Sequence, residues 1–104
     1  MAYNVGISKP AERDIEQAFI FIGNRSSRAA ITWLDSIQQT ITSLAELPNR
    51  ASFIPENFRL KSQYRHLIHN NYRIVFQIDE EKKTVSVIRV YHSARSPLGS
   101  EDVE

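Results

Sequence analysis

Cysteine is absent from this 104-residue sequence, and glycine occurs only three times. Without cysteine, the fold can contain neither a disulfide bridge nor a thiolate metal site, as expected of a protein in a reducing compartment. Three scattered glycines cannot form a glycine-rich phosphate-binding loop. The three histidines belong to no cluster with carboxylates at metal-ligand spacing. We therefore predict a protein with no metal site and no cofactor.

Long hydrophobic runs are also lacking. The longest apolar stretch covers residues 18–22, whereas a membrane-spanning helix needs about 20 apolar residues. The first ten residues contain no apolar run typical of a signal peptide. Hydrophobic residues make up 41% and charged residues 24%, as in an ordinary globular protein. We expect a cytoplasmic protein with one domain over residues 1–97, no membrane partner, and a flexible acidic tail over residues 98–104.

The net charge of +1 hides a basic segment at residues 50–73, where Glu56 is the only acid. Its basic residues are Arg50, Arg59, Lys61, Arg65 and Arg73. Such a segment can attract a polyanion or an acidic partner, but it can equally be a solvated face.

Two helices are predicted from apolar residues that recur every three or four positions, over residues 9–22 and 30–47. Ser8 and a serine at 26 or 27 can cap their first turns, and Pro48 should end the second helix. The apolar positions of the second helix are Ala30, Trp33, Leu34, Ile37, Ile41, Leu44 and Leu47. The stripe Trp33, Ile37, Ile41 and Leu44 is predicted to be core. A short connection makes the pair an antiparallel hairpin.

Strand periodicity appears at residues 3–7, 64–68, 72–79 and 84–91. Residues 48–63 show no period and are read as a long loop. The last three strands are joined by short turns and should form an antiparallel meander. The order β-α-α-β-β-β predicts an α+β fold: an N-terminal strand, a two-helix hairpin and a three-strand meander.

The facing of the functional candidates follows from strand alternation. If Ile74 faces the helices, Arg73 points to the open face of the sheet, where its replacement should change stability by under about 0.5 kcal/mol. If Ile88 and Val90 face the core, Tyr91 shares the open face with Arg73, and His92 does not.

Two segments of the predicted sheet resemble the C-terminal signature of RelE/ParE toxins. Residues 72–78 read Tyr-Arg-Ile-Val-Phe-Gln-Ile, and residues 87–95 read Val-Ile-Arg-Val-Tyr-His-Ser-Ala-Arg. The second helix and its exit at Pro48 are similar to the ParE-like branch. The resemblance covers about residues 3–97 and implies the toxin of a type II toxin–antitoxin module.

That family includes two activities, and the resemblance leaves open whether this chain is an enzyme. RelE-like members cleave messenger RNA on the ribosome, whereas ParE-like members inhibit DNA gyrase. The helical half favours the ParE-like activity. A non-toxic protein-binding module of the same fold is a third possibility.

For an RNA-cleaving toxin, the resemblance implies catalytic roles for Arg73, His92 and Arg95. Arginine can clamp phosphate in a bidentate way, and histidine can act as a general acid or base near neutral pH. The nuclease members often add a tyrosine or glutamate. No tyrosine follows Arg95, and the candidates to substitute are Tyr91 and Glu56 in the loop, although neither matches a motif strictly. Nucleic-acid or target binding is assigned to Arg59, Lys61, Arg65 and Arg73.

The resemblance also implies an antitoxin protein as partner. Ile20 and Phe21 lie off the centre of the first helix's core stripe. An adjacent exposed apolar pair can form a binding patch, so these two residues are the candidates for antitoxin contact.

Overall fold

A five-stranded sheet packs against a pair of helices in the computed structural model, which describes residues 2–94 and 97–103. The helices and strands are, in chain order, β1 (Asn4–Ile7), α1 (Lys9–Gly23), α2 (Ser27–Ser43), β2 (Ser52–Phe53), β3 (Arg65–His69), β4 (Tyr72–Asp79), β5 (Thr84–His92) and α3 (Ser100–Val103). Single 3₁₀ turns cover Pro48–Arg50 and Pro55–Arg59.

The strand order is β1-β5-β4-β3-β2. Strand β1 pairs with β5 in parallel, and the other neighbours are antiparallel. The predicted α+β class, helical hairpin and meander are confirmed. The two-residue strand β2 lies in the segment that we read as a loop, because it is too short to show a period.

Both long helices begin where a serine caps them. The Ser8 hydroxyl accepts a hydrogen bond from the Ala11 amide at 3.2 Å, and Ser26 does the same for Ala29 at 3.1 Å. The predicted end of the second helix is wrong, since α2 ends at Ser43 and Leu47 has a positive φ of 48°. Pro48 disfavours the right-handed helical conformation in the residue before it, so the helix does not continue through Leu47 to the predicted end.

The main core lies between the helices and the sheet. The core stripe predicted for the second helix is buried there. Of the other apolar positions of that helix, Leu34 is half-buried and Leu47 is exposed. The sheet supplies Ile74, Phe76, Val85, Val87 and Val90. Leu44 stays buried although it lies just beyond the helix.

A second, smaller core covers the sheet face that we expected to be open. It comprises Ile54, Leu60, Tyr64, Val75, Tyr91 and Leu98, with Ile88 and Val103 packed against it. The prediction of an open face is therefore wrong: the segment after β2 folds back over the sheet, and the C-terminal segment packs beside it. Residues 98–103, expected to be a flexible tail, include Leu98 with only 1% of its surface exposed.

A β-bulge in β5 explains a further difference between the predicted and the observed facing of its residues. Val75 lies opposite Arg89, but Phe76 lies opposite Val87, so Ile88 is an extra residue in β5. The extra residue changes the alternation of the strand. Ile88 consequently packs into the second core, and its predicted place facing the helices is wrong.

Among the described residues, 2–94 and 97–103, no helix is long and apolar enough to cross a membrane.

Candidate functional site

Arg73, on β4, lies at the centre of the face opposite the helices. Its two terminal nitrogens donate to Glu56, to Oε2 at 2.8 Å and to Oε1 at 3.0 Å. Its Nε donates to Nδ1 of His66, on β3, at 3.1 Å. The Arg73 and Glu56 side chains are only 12% and 6% exposed. Arg73 is thus one half of a buried bidentate ion pair.

Glu56 reaches Arg73 because the 3₁₀ turn Pro55–Arg59 is fixed over the sheet. The Asn57 side chain accepts from the Tyr64 amide and donates to the Tyr64 carbonyl, each at 3.0 Å. The Glu56 carboxylate also accepts a hydrogen bond from the Leu98 amide at 3.0 Å. One carboxylate therefore joins the turn, strand β4 and the C-terminal segment.

The charges of this cluster are set by Arg73. Hydrogen bonds from Arg73 lower the pKa of Glu56 to about 2, against the opposing effect of burial. Burial, and then the nearby Arg73 charge, lower the pKa of His66. Glu56 is thus ionised and His66 is neutral at pH 7, with Nδ1 of His66 serving as the acceptor for Arg73.

A shallow groove runs over the ion pair. Pro55, Phe58, Arg59, Ser93 and Pro97 line it together with Glu56 and Arg73. The Arg59 Nε donates to the Leu98 carbonyl at 3.1 Å, which fastens the C-terminal segment a second time.

The structure does not bring the predicted catalytic residues Arg73 and His92 together. His92 is exposed, lies opposite Tyr72 in the sheet, and contacts its ring edge-on at 5.2 Å. Tyr72 packs against Trp33 of α2, so His92 lies on the helix side and Arg73 on the other. Arg95 lies outside the described residues.

The four basic residues assigned to target binding do not form one cluster either. The Arg65 side chain donates to the carbonyl of Ala51 at 2.6 Å and stacks 3.9 Å from the Phe53 ring. Arg65 lies opposite Phe76, hence on the helix side, whereas Arg59 and Arg73 share the groove. Lys61 is exposed just after the 3₁₀ turn.

Ile20 and Phe21 are exposed on α1, to 54% and 64%. Phe21 lines a groove between α1 and the sheet, together with Tyr72, Arg89 and His92. Both residues are therefore accessible to a partner.

Sequence reasoning missed two ion pairs. Glu56 was considered only as a substitute catalytic acid, although a single acid within a basic segment is itself a signal for pairing. Asp14 of α1 accepts from Arg89 Nε at 2.7 Å and from the Val90 amide at 2.9 Å. Asp14 and Arg89 are 75 positions apart in the sequence. The residues that flank each of them give no indication that the two side chains are in contact.

Comparison with known proteins decides the family. The model of the ParE toxin of the type II toxin–antitoxin system parDE matches residues 5–97. The chain belongs to the ParE toxin family. Among curated protein sequences, no significant match was found.

Two solved structures share the ParE toxin's fold. One is the toxin–antitoxin complex RelBE2 from Mycobacterium tuberculosis, with a TM-score of 0.67, 22% identity, and coverage of 91% of this chain and 95% of that chain. The other is the chromosomal ParDE system from P. aeruginosa, with a TM-score of 0.67, 13% identity, and coverage of 88% and 96%. At these identities the likeness establishes the fold.

The buried ion pair of this ParE toxin gives a stability prediction that replaces the one made from the sequence. Arg73→Ala should lower the free energy of unfolding by about 3–5 kcal/mol, because it leaves the Glu56 charge buried without a partner. The double variant Glu56→Leu/Arg73→Met removes both charges and should recover most of the loss. Urea unfolding at pH 7 measures the free energy of unfolding of the wild type, of Arg73→Ala and of the double variant. A loss below about 1 kcal/mol in Arg73→Ala would show that the pair is not buried as described.

Proposed function

We propose that this ParE toxin arrests growth by inhibiting DNA gyrase, without cutting RNA. The observation that carries the proposal is the commitment of Arg73 to Glu56. A guanidinium that clamps a phosphate needs its positive charge and its paired donors. Here both terminal nitrogens already bind a carboxylate.

Among the described residues around Arg73, neither the histidines nor Glu56 is poised for proton transfer, since the Glu56 carboxylate, with a pKa of about 2, is a weak base. Cleavage through a ribose hydroxyl requires a general base within hydrogen-bond reach of that hydroxyl. His66 is the nearest histidine, but its one acceptor nitrogen is occupied by Arg73 Nε. His92 lies on the other face of the sheet. These placements favour a toxin that acts by binding a protein.

An antitoxin protein is the second partner in this proposal. The two solved structures compared above come from toxin–antitoxin systems. The exposed pair Ile20 and Phe21 offers apolar anchors on α1, beside the groove that leads to His92. Gyrase and such an antitoxin would both meet the toxin in the cytoplasm.

Two assays on the purified toxin test the mode of action. We expect it to inhibit gyrase supercoiling and to leave ribosome-bound messenger RNA intact, as read by primer extension. His92→Gln should inhibit gyrase as well as the wild type does, because His92 has no catalytic task in this proposal. Discrete RNA cleavage that disappears in His92→Gln would refute the proposal and establish a nuclease.

Antitoxin contact is tested by the double variant Ile20→Ser/Phe21→Ser. Truncated apolar anchors typically cost a few kcal/mol of binding, so the dissociation constant should rise by roughly 30-fold or more. Ile68→Ser is the matched control: Ile68 is similarly exposed, at 57%, but lies on the face opposite the helices. Calorimetry showing equal affinity for the double variant and the wild type would remove α1 from the interface.

A further inference from the structure

We propose that the surface around Phe58 is where this toxin holds its protein target, and that the target presents an apolar side chain next to a carboxylate there. This surface consists of Phe58, Arg59 and Ile68, together with the groove above the Glu56–Arg73 pair. The inference rests on the proposed function, because it places the protein target at a defined surface.

Phe58 is the most exposed large hydrophobic residue of the described chain, at 85%. It lies in the 3₁₀ turn whose neighbours Glu56 and Leu60 are buried, so the exposed ring stands on a fixed backbone. A rigid aromatic side chain loses little conformational entropy when a partner covers it. Such residues often dominate the energetics of protein interfaces.

A second apolar residue lies on the same face. Ile68 of β3 is directly opposite Arg73 in the sheet, and Arg73 lines the groove with Phe58. A single exposed hydrophobic side chain means little, but Ile68 adds a second one on the face that carries the groove, next to Arg73 in the sheet.

The charge of the Phe58 surface indicates what kind of partner would bind to it. Glu56 and Arg73 neutralise each other, and His66 is held neutral by burial and by Arg73. Within residues 2–94 and 97–103, no carboxylate lies within ion-pair distance of Arg59, whose guanidinium sits 5.6 Å from the Phe58 ring. Among the described residues, the groove therefore presents an apolar wall beside one cation that no described carboxylate neutralises, and this complements an apolar residue followed by an acid.

Nucleic acid fits this surface less well than protein does. Binding to a phosphate backbone depends on several uncompensated cations. Here the second guanidinium of the groove is neutralised, and the Glu56 carboxylate would repel phosphate. An acidic protein segment needs only the one cation.

This surface is separate from the one that carries Ile20 and Phe21. The Phe58 surface lies on the sheet face opposite the helices, whereas Phe21 is on α1. A toxin must recognise both a target and an antitoxin, and two separate surfaces allow each recognition to be altered alone.

Two matched phenylalanines provide the experiment. Phe58→Ala and Phe21→Ala each remove one exposed ring, so both variants should keep the urea midpoint of the wild type. We expect Phe58→Ala to need roughly 30-fold more toxin for half-maximal gyrase inhibition and to bind antitoxin as the wild type does. Phe21→Ala should show the reverse pattern.

Three results would overturn the inference. They are unchanged gyrase inhibition by Phe58→Ala, weakened antitoxin binding by that variant, and a loss confined to single-stranded DNA binding measured by fluorescence anisotropy. If the wild type does not inhibit gyrase at all, the proposed function fails, and growth arrest on expression becomes the readout for the surface. Full arrest by folded Phe58→Ala then overturns the inference, and loss of arrest supports it.

Discussion

The ion pair between Glu56 and Arg73 is the interaction on which the sheet face opposite the helices depends. Two charges that are almost fully removed from water are tolerated only when their hydrogen bonds are satisfied. Arg73 uses all three of its nitrogens, and Glu56 adds the Leu98 amide to its two bonds from Arg73. The pair thereby holds together the 3₁₀ turn, the central strand and the C-terminal segment.

The overall fold places Arg73 in the sheet, but the Glu56–Arg73 pair limits the chemistry that Arg73 can perform. A strand arginine on an open sheet is a phosphate clamp, whereas the same arginine under a carboxylate is a structural cation. The RelBE2 and ParDE structures are equally similar to this chain by TM-score, so the overall fold alone does not identify the target. In our proposal, the residues that cover Arg73 decide the mode of action, and they border a groove that carries the exposed Phe58.

The parts of the fold with strong periodicity could be predicted from the sequence. Strand β4 begins and ends where the alternation around Ile74 and Phe76 predicts, and the α2 stripe is buried as its spacing indicates. The connection between β3 and β4, predicted only as a short turn, consists of Asn70 and Asn71, which both adopt the positive φ that two-residue hairpins require.

The candidate site was less predictable, because it depends on contacts between distant residues. Strand alternation placed Arg73 on the correct face but could not show that the loop would return to cover it. The segment from 48 to 63 has no period, and Glu56 is 17 residues from its partner. The bulge at Ile88 was also missed: Val87 and Ile88 are consecutive apolar residues in β5, a pattern that fits more than one facing of the strand.

Hydrogen exchange at the Leu98 amide tests most directly whether the ion pair fastens the C-terminal segment to the sheet. This amide donates to Glu56, so it should be protected in the wild type and should exchange close to the rate of an unstructured peptide in Glu56→Ala. The Ser8 amide, which donates to the Val87 carbonyl on the helix side of the molecule, is the internal reference and should stay protected in both. A Leu98 amide that exchanges freely in the wild type, or that stays equally protected in folded Glu56→Ala, would contradict the account.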